Sequence, residues 1–324
     1  MKPIFLLSLP RSGSTFCQRI LGAHDQIATA NEPHFLLSYL YANKDYDVRS
    51  TYNHYYASVA LQDFVNSLPN QQMDYYEALR RFALELYKKS AGDQKLTYFL
   101  DKTPKYHFVA SEIIQLFPEA KIIFLWRNPL AIISSIISTW GNNRWNVFHF
   151  YVDLYQGVER LIHAFRDNQD RVLGIRYEDV VQYPEETWSR VFDYLDLEFD
   201  SKVLTRFAEV RLAGRVTDPN SSKDEYQVMQ QKPLHKWKNV LANPLRKAWC
   251  RRYLRWVGHE RLSTMGYDLD TLLEDVNAVP LRWEQTGRDL YQMPLGAAYH
   301  LFELQLMKQK FIKWRAGERF YMHN

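Results

Sequence analysis

Short runs of consecutive apolar residues, set off by polar turns, alternate along the chain with segments whose apolar positions recur every three or four residues. Three runs read as strands covered on both faces: Ile4–Leu9, Lys121–Trp126 and Val172–Tyr177. A strand buried on both sides needs no polar alternation. Tyr98–Leu100 is a shorter candidate for a fourth. Helical patterns cover Ser14–Gly22 after the first run, Tyr106–Phe117 after the candidate fourth, Pro129–Thr139 after the second and Glu185–Leu195 soon after the third. Strand and helix in alternation predict an α/β fold with a parallel sheet at its centre. A longer amphipathic helix is expected from Trp145 to Arg166, on the stripe Val147, Tyr151, Leu154, Val158, Leu161 and Phe165. The polar stretch Ala213–Lys232 reads as a loop, and helical patterns return at Leu245–Met265 and Gly296–Trp314. Without a linker or repeat, the expected organisation is one α/β domain over residues 1–273, with a helical extension over 274–324 packed on it.

Composition narrows the function classes. Of 324 residues, 46% are apolar and 24% charged, the balance of a globular chain. Aromatic residues reach 15%, enough to build a core and also to wall a pocket, for instance from the tyrosine-rich stretches Ser38–Tyr56 and Asp74–Tyr87. A net charge of +4 suits a small anionic ligand and is too dispersed for nucleic acid. Two cysteines, Cys17 and Cys250, exclude a disulfide framework or a four-cysteine zinc site, and the ten histidines lack zinc-motif spacing, so no metal is expected. The first apolar run is too short for a secretory leader, and no stretch approaches the roughly 20 apolar residues of a membrane span. A cytoplasmic enzyme with no membrane partner is the resulting expectation.

Two junctions carry candidate chemistry. Leu9-Pro10-Arg11-Ser12-Gly13-Ser14-Thr15-Phe16 lies between the first strand and the first helix. That geometry aims unpaired backbone N–H groups and the positive end of a helix at an anion. Gly13 permits a left-handed turn, Ser12, Ser14 and Thr15 add hydroxyls, and Arg11 adds a delocalised charge. A nucleoside-triphosphate P-loop would place glycine where Ser8 stands and lysine where Ser14 stands, which disfavours an ATP-dependent kinase. The second junction is Phe124-Leu125-Trp126-Arg127-Asn128-Pro129-Leu130. Arg127 falls at a strand's carboxyl end, where open α/β sheets bind ligands, and Asn128 and Pro129 suit an N-cap and first helical position. Ser135 follows eight residues later, about two helical turns on.

At these residues the chain resembles the sulfotransferases that use PAPS (3'-phosphoadenosine 5'-phosphosulfate), whose first loop reads Pro-Arg/Lys-Ser-Gly-Ser/Thr-Thr. The resemblance spans about residues 3–240 and points to the tyrosylprotein and carbohydrate-type branch. It implies a P-loop-like three-layer sandwich, a central parallel sheet flanked by helices. It also implies PAPS as co-substrate, PAP as product and no metal. Carried over by position, Arg11, Ser12, Gly13, Ser14 and Thr15 would hold the 5'-phosphosulfate, and Arg127 with Ser135 the 3'-phosphate. Tyr177, in Arg176-Tyr177-Glu178-Asp179, would contact the nucleotide. The stretch from Ser221 to Lys236-Trp237 resembles the late loop that covers the nucleotide, with Ser221 and Lys236 as its contacts; the Arg-Lys-Gly of the cytosolic type is absent.

By the same resemblance Glu32, in Asn31-Glu32-Pro33-His34, is the general base, since that branch uses a glutamate at this place. Pro104 stands where cytosolic members carry a histidine; His107 and His34 are the alternatives. Arg11, and Lys102 in Asp101-Lys102-Thr103-Pro104, would neutralise charge developing during transfer. The expected acceptor is the hydroxyl of a small molecule, with a carbohydrate or peptide as the alternative. A catalytically silent nucleotide-binding protein and a homodimer are both left open.

Overall fold

The fold is described by a computed structural model over residues 1–30, 32, 35–41, 54–92, 96–210, 232–301, 307, 311 and 315. Strand β1 (Lys2–Ser8) is the middle of a five-stranded sheet. On one side it pairs with β3 (Tyr98–Asp101), which pairs in turn with the short edge strand β2 (Ile27–Thr29). On the other side lie β4 (Lys121–Trp126) and then β5 (Val172–Arg176). All four pairings are parallel, in the order β2-β3-β1-β4-β5. Strand order reverses around β1, so a crevice forms at its carboxyl end, the position where such sheets take ligands.

Side chains alternate between two buried layers. Phe5, Leu7, Phe99, Ile122, Phe124 and Trp126 enter one core, while Ile4, Leu6, Tyr98, Leu100, Ile123 and Leu125 enter the other. This is why the runs are continuously apolar, and it makes the molecule a three-layer α/β sandwich as expected. The second core is closed by α1 (Ser14–Gly22), α8 (Tyr177–Gln182), α9 (Pro184–Tyr194) and α10 (Val203–Arg206). The first is covered by α4 (Gln72–Ala91), α5 (Ala110–Leu116), α6 (Pro129–Trp140), α7 (Val158–Arg166), α11 (Lys232–Val240), α12 (Pro244–Thr264) and α13 (Leu269–Ala278). Two further helices, α2 (Phe35–Tyr41) and α3 (His54–Asn66), precede α4, and α14 (Thr286–Leu301) follows α13. Residue 273 falls inside α13, so no break in structure marks the boundary expected there. The loop expected at 213–232 lies outside the described residues except for Lys232, which opens α11.

Two expected elements differ. Tyr106–Phe117 is a 3₁₀ turn (Pro104–Phe108) followed by α5, separated by Val109 in a non-helical conformation. The helix expected from Trp145 to Arg166 is a 3₁₀ turn (Val147–Phe150), a π-helical turn (Asp153–Gly157) and then α7. Its apolar stripe still faces inward, with Val147, Leu154, Val158 and Leu161 all buried. The π turn swings Asp153 into the protein, where its Oδ1 accepts from Lys105 Nζ and lies 2.8 Å from His107 Nε2. The tyrosine-rich stretch Asp74–Tyr87 is part of α4, which buries Leu79, Ala83 and Tyr87 along one face. These residues include core as well as surface, and Tyr87 donates its hydroxyl to Asp101 at 2.6 Å.

A buried ionic cluster fixes α14 to the body. Arg246 Nε donates to Asp289 Oδ2 at 2.6 Å and its Nη2 to Asp289 Oδ1 at 3.1 Å. Two more guanidinium N–H groups go to the carbonyls of Val240 and Asn143, and Asn243 Nδ2 adds a bond to Asp289 at 2.7 Å. The side chains of Arg246 and Asp289 are 3% and 0% exposed, so the charges are removed from water, with each guanidinium nitrogen making at least one hydrogen bond.

Candidate functional site

The loop after β1 is built from two left-handed residues. Arg11 has φ 69° and Gly13 φ 90°, bracketing Ser12. A bulky residue in that region costs of order 1–3 kcal/mol, strain that is concentrated where backbone N–H groups are turned to a purpose. Gly13 is required twice over: a Cβ on it would fall 2.3 Å from Cδ2 and Cε2 of Tyr177. The ring of Tyr177 therefore roofs the loop directly. Helix α1 begins at Ser14 with no side-chain cap, leaving its first N–H groups to be satisfied by something other than the helix. Ser12, Ser14 and Thr15 are all buried here, and Ser12 Oγ has no hydrogen-bond partner among the described residues.

Arg127 links the two junctions. Its Nη1 donates to the Arg11 carbonyl at 2.8 Å, and its guanidinium lies 4.3 Å from the centre of the Tyr177 ring. It is 7% exposed, and its Nε has no hydrogen-bond partner among the described residues. A buried guanidinium N–H without an acceptor is costly, and an anion would supply one. Burial pushes the Tyr177 hydroxyl above its ordinary pKa although Arg127 opposes this, so the ring stays neutral under the cation. The turn into α6 is capped as anticipated, Asn128 Oδ1 accepting from Leu130 N at 2.9 Å with Pro129 at the first position. Glu178 Oε1 accepts from Asn128 N at 3.1 Å, tying the end of β4 to the start of α8.

Ser135 on α6 is a hydrogen-bond partner of Arg11. Arg11 Nε donates to Ser135 Oγ at 3.1 Å and its Nη2 to Thr139 Oγ1 at 3.2 Å, with the guanidinium 5.2 Å from the Trp140 ring centre. The two residues assigned to opposite ends of the nucleotide are thus neighbours. Thr139 and Trp140 were not anticipated. The signal for Thr139 was its position four residues after Ser135, on the same helix face.

At the end of β3, Asp101 is fully buried and receives the hydroxyls of Tyr87 and of Tyr106, the latter at 2.9 Å. That arrangement immobilises the strand end carrying Lys102. Lys102 is itself 0% exposed, and its Nζ pairs with Glu32 Oε1 and lies 3.4 Å from Thr15 Oγ1. Glu32 and Lys102 are therefore side by side against the β1 loop, although 70 residues separate them in sequence. His107 is sequestered: it is 0% exposed and its Nε2 is committed to Asp153. Burial lowers its pKa against the opposing pull of Asp153. Lys236 is exposed on α11, which packs against α6, while Ser221 and His34 lie outside the described residues. Among the described residues one trio, His259, Asp268 and Asp270, brings metal-type ligand atoms within 4.8 Å of one another. It is exposed, and Asp268 Oδ1 already accepts from Thr271.

Comparison with known proteins agrees with this geometry. A model of the sulfotransferase family matches residues 3–201, which include both junctions, Glu32, Lys102 and Tyr177. The nodulation protein NoeE of Sinorhizobium fredii is 35% identical over 137 residues, 42% of this chain and 31% of that protein's own length. A putative protein-tyrosine sulfotransferase of Caenorhabditis briggsae is 25% identical over 205 residues, 62% of this chain and 68% of that protein. In structure, the sulfotransferase domain from the curacin biosynthetic pathway superposes with a TM-score of 0.55 at 22% identity, covering 82% of this chain and 98% of that one. A family match over more than half the chain, on the fold and at the residues just described, has one meaning: this chain belongs to the sulfotransferase family.

Proposed function

We propose that the strand-end cradle binds 3'-phosphoadenosine 5'-phosphosulfate and that the chain transfers its sulfuryl group to an acceptor hydroxyl, with Glu32 as general base. One observation carries this reading: four separate sequence segments converge by direct contact. Arg127 bonds to the Arg11 carbonyl, Lys102 reaches Thr15, and Glu32 pairs with Lys102. Anion-binding groups and a carboxylate beside them are what in-line transfer from an anionic donor requires.

The residues have distinct tasks. The N–H groups from Gly13 to Thr15 and the buried hydroxyls of Ser12 and Ser14 suit the 5'-phosphosulfate. Arg127, with its open Nε, and Ser135 suit the 3'-phosphate, with Arg11 placed between the two subsites. As the acceptor oxygen bonds to sulfur, the bond from sulfur to the bridging oxygen breaks and PAP leaves. The acceptor proton passes to the Glu32 carboxylate, and Lys102, held between Glu32 and Thr15, faces the charge growing on the leaving oxygen. The Lys102–Glu32 pair also orients the carboxylate before an acceptor arrives.

The acceptor class follows less directly. A small-molecule hydroxyl is the first reading. A peptide tyrosine is the second, favoured by similarity to proteins named as protein-tyrosine sulfotransferases. Incubation with sulfur-labelled PAPS, a panel of hydroxylated small molecules and a tyrosyl peptide tests both. Label should move to one class and not the other; label left wholly on the donor throughout would overturn the reading. Within an active pair, Glu32→Gln should lower kcat by about 10²–10⁴ while leaving PAP affinity in place. Near wild-type turnover in that variant would remove Glu32 from the mechanism.

A further inference from the structure

Glu32 follows β2, the shortest strand of the sheet, which lies at the edge and pairs on one side only. A short edge segment with few bonds opens locally at little cost, so a base placed just beyond it needs a further hold. At its start β2 is fixed by the backbone, the Gln26 carbonyl accepting from Thr97 N and from Tyr98 N at 3.1 Å each. At its other end, toward Glu32, the ladder stops at Thr29 opposite Leu100. Side chains take over there. Gln18 Nε2, from α1, donates to the Thr29 hydroxyl at 2.9 Å and to the Ala30 carbonyl at 2.6 Å. The Thr29 hydroxyl in turn donates to the Leu100 carbonyl at 3.0 Å.

Ala30 stands two residues before Glu32, and Leu100 two before Lys102. The chain of bonds therefore ties the approach to the carboxylate and the approach to the lysine to one helix. The same helix carries Thr15, whose Oγ1 is 3.4 Å from Lys102 Nζ. Thr15, Gln18 and Gly22 recur at helical spacing and share a face of α1. Gly22 lets that face come close to β2, since a Cβ there would fall 2.7 Å from Thr29 Cγ2. Packing alone does not account for Gln18. It is 0% exposed, and its Oε1 has no hydrogen-bond partner among the described residues. A half-satisfied buried amide costs stability that an apolar side chain of similar length would not. What the amide holds explains it better than what it fills.

We infer that Gln18 and Thr29 are positioning residues for sulfuryl transfer: they fix the end of β2 so that the Glu32 carboxylate stays paired with Lys102 and within reach of the acceptor's proton. The inference rests on the reading of Glu32 as general base. Both residues act through Glu32, not on the donor. Displacing a catalytic group by about 1 Å costs on the order of 10²-fold in rate.

The test is PAP release from PAPS by the full chain, with water as acceptor and with the most active compound of the hydroxyl panel. Gln18→Met and Thr29→Val should each lower kcat by about 10–10²-fold. The KM for PAPS and the PAP-induced rise in melting temperature should stay near wild type. In a Glu32→Gln background either substitution should cost less than about twofold more, because the group it positions is already lost. Thr29→Ser keeps the hydroxyl and should restore most of the rate. It also removes the methyl that a Cβ at position 22 would strike, so Gly22→Ala should impair the wild type and be relieved by Thr29→Ser. Wild-type kcat in Gln18→Met and Thr29→Val, with Glu32→Gln impaired, would overturn this inference alone. Equal further losses in the Glu32→Gln background would also overturn it, making the two residues merely structural. Should Gln18→Met or Thr29→Val fail to fold by circular dichroism, the Gly22→Ala pair decides, and absence of relief overturns the inference. A silent Glu32→Gln, or no PAP release by the wild type, would instead overturn the reading of the base and this inference with it.

Discussion

Two buried arginines differ in how far the chain itself satisfies them: Arg127, proposed to bind an anion, and Arg246, which locks α14 to the body. Both are nearly inaccessible, at 7% and 2% exposure. Arg246 is satisfied from within the chain: Asp289 takes two of its bonds and the Val240 and Asn143 carbonyls take the others. Arg127 has the Arg11 carbonyl and the face of Tyr177, and its Nε has no partner among the described residues. Arg246 closes a network and needs no ligand. Arg127 stands at a strand end beside a left-handed loop, with hydrogen-bonding capacity left for the proposed anion. Burial alone does not separate the two roles; the completeness of the hydrogen bonding does.

This contrast can be broken by substitution, and the largest effect is expected at the satisfied arginine. Asp289→Asn leaves the Arg246 charge buried without its counter-ion, so chemical denaturation should show a loss of about 3–5 kcal/mol. PAP affinity of the folded fraction should be unchanged. A loss below about 1 kcal/mol, the scale of an exposed pair, would show that the cluster is not the lock described.

Arg127→Ala should give the opposite profile. PAP binding by calorimetry should weaken by about 2–4 kcal/mol, the scale for leaving a desolvated charge partner unpaired. Thermal stability without nucleotide should change much less. Adenosine 5'-phosphosulfate, which lacks the 3'-phosphate, should be nearly indifferent; an equal loss for both nucleotides would make Arg127 structural, like Arg246.

The smallest effect belongs to His107, a buried group of the structural kind. Asp153, Lys105 and Arg160 are the charged groups acting on it. Burial holds its folded-state pKa below the ordinary histidine value of about 6.5. The unfolded chain therefore takes up the proton first. The stabilisation is present above that value and is lost as pH falls through the folded pKa. Between neutral pH and mild acid, His107→Gln should flatten the pH dependence of stability by of order 1 kcal/mol. An unchanged slope would place the titration elsewhere.

What could be read from the sequence divides along similar lines. Features that depend on neighbours in the chain were legible. The β1 loop, the Asn128-Pro129 cap and the span of β4 are all local, and each forms where the pattern placed it. Features set by distant partners were not. Strand β2 has only three residues and owes its place to pairing with β3 and to the Thr29 hydroxyl donating to the Leu100 carbonyl at 3.0 Å. The π turn at 153–157 coincides with the pairing of Asp153 with two residues of the 3₁₀ turn at 104–108, which no periodicity encodes. At the site, Arg11 and Arg127 could be singled out from their junctions alone. The pairing of Glu32 with Lys102 could not, because nothing in the spacing of these residues announces a contact across 70 positions. Glu32 came from family resemblance, and the geometry adds the partner.

The central claim is that the cradle between β1, β4 and β5 takes a nucleotide carrying a 3'-phosphate, and the melting temperature of the unmodified protein tests it most directly. A ligand that binds only the native state adds about 2.7 kcal/mol at a hundredfold excess over its Kd. With PAP at saturating concentration the melting temperature should rise accordingly, while ATP with magnesium at the same concentration should raise it far less. Equal shifts from the two nucleotides, or no shift from PAP, would contradict the account.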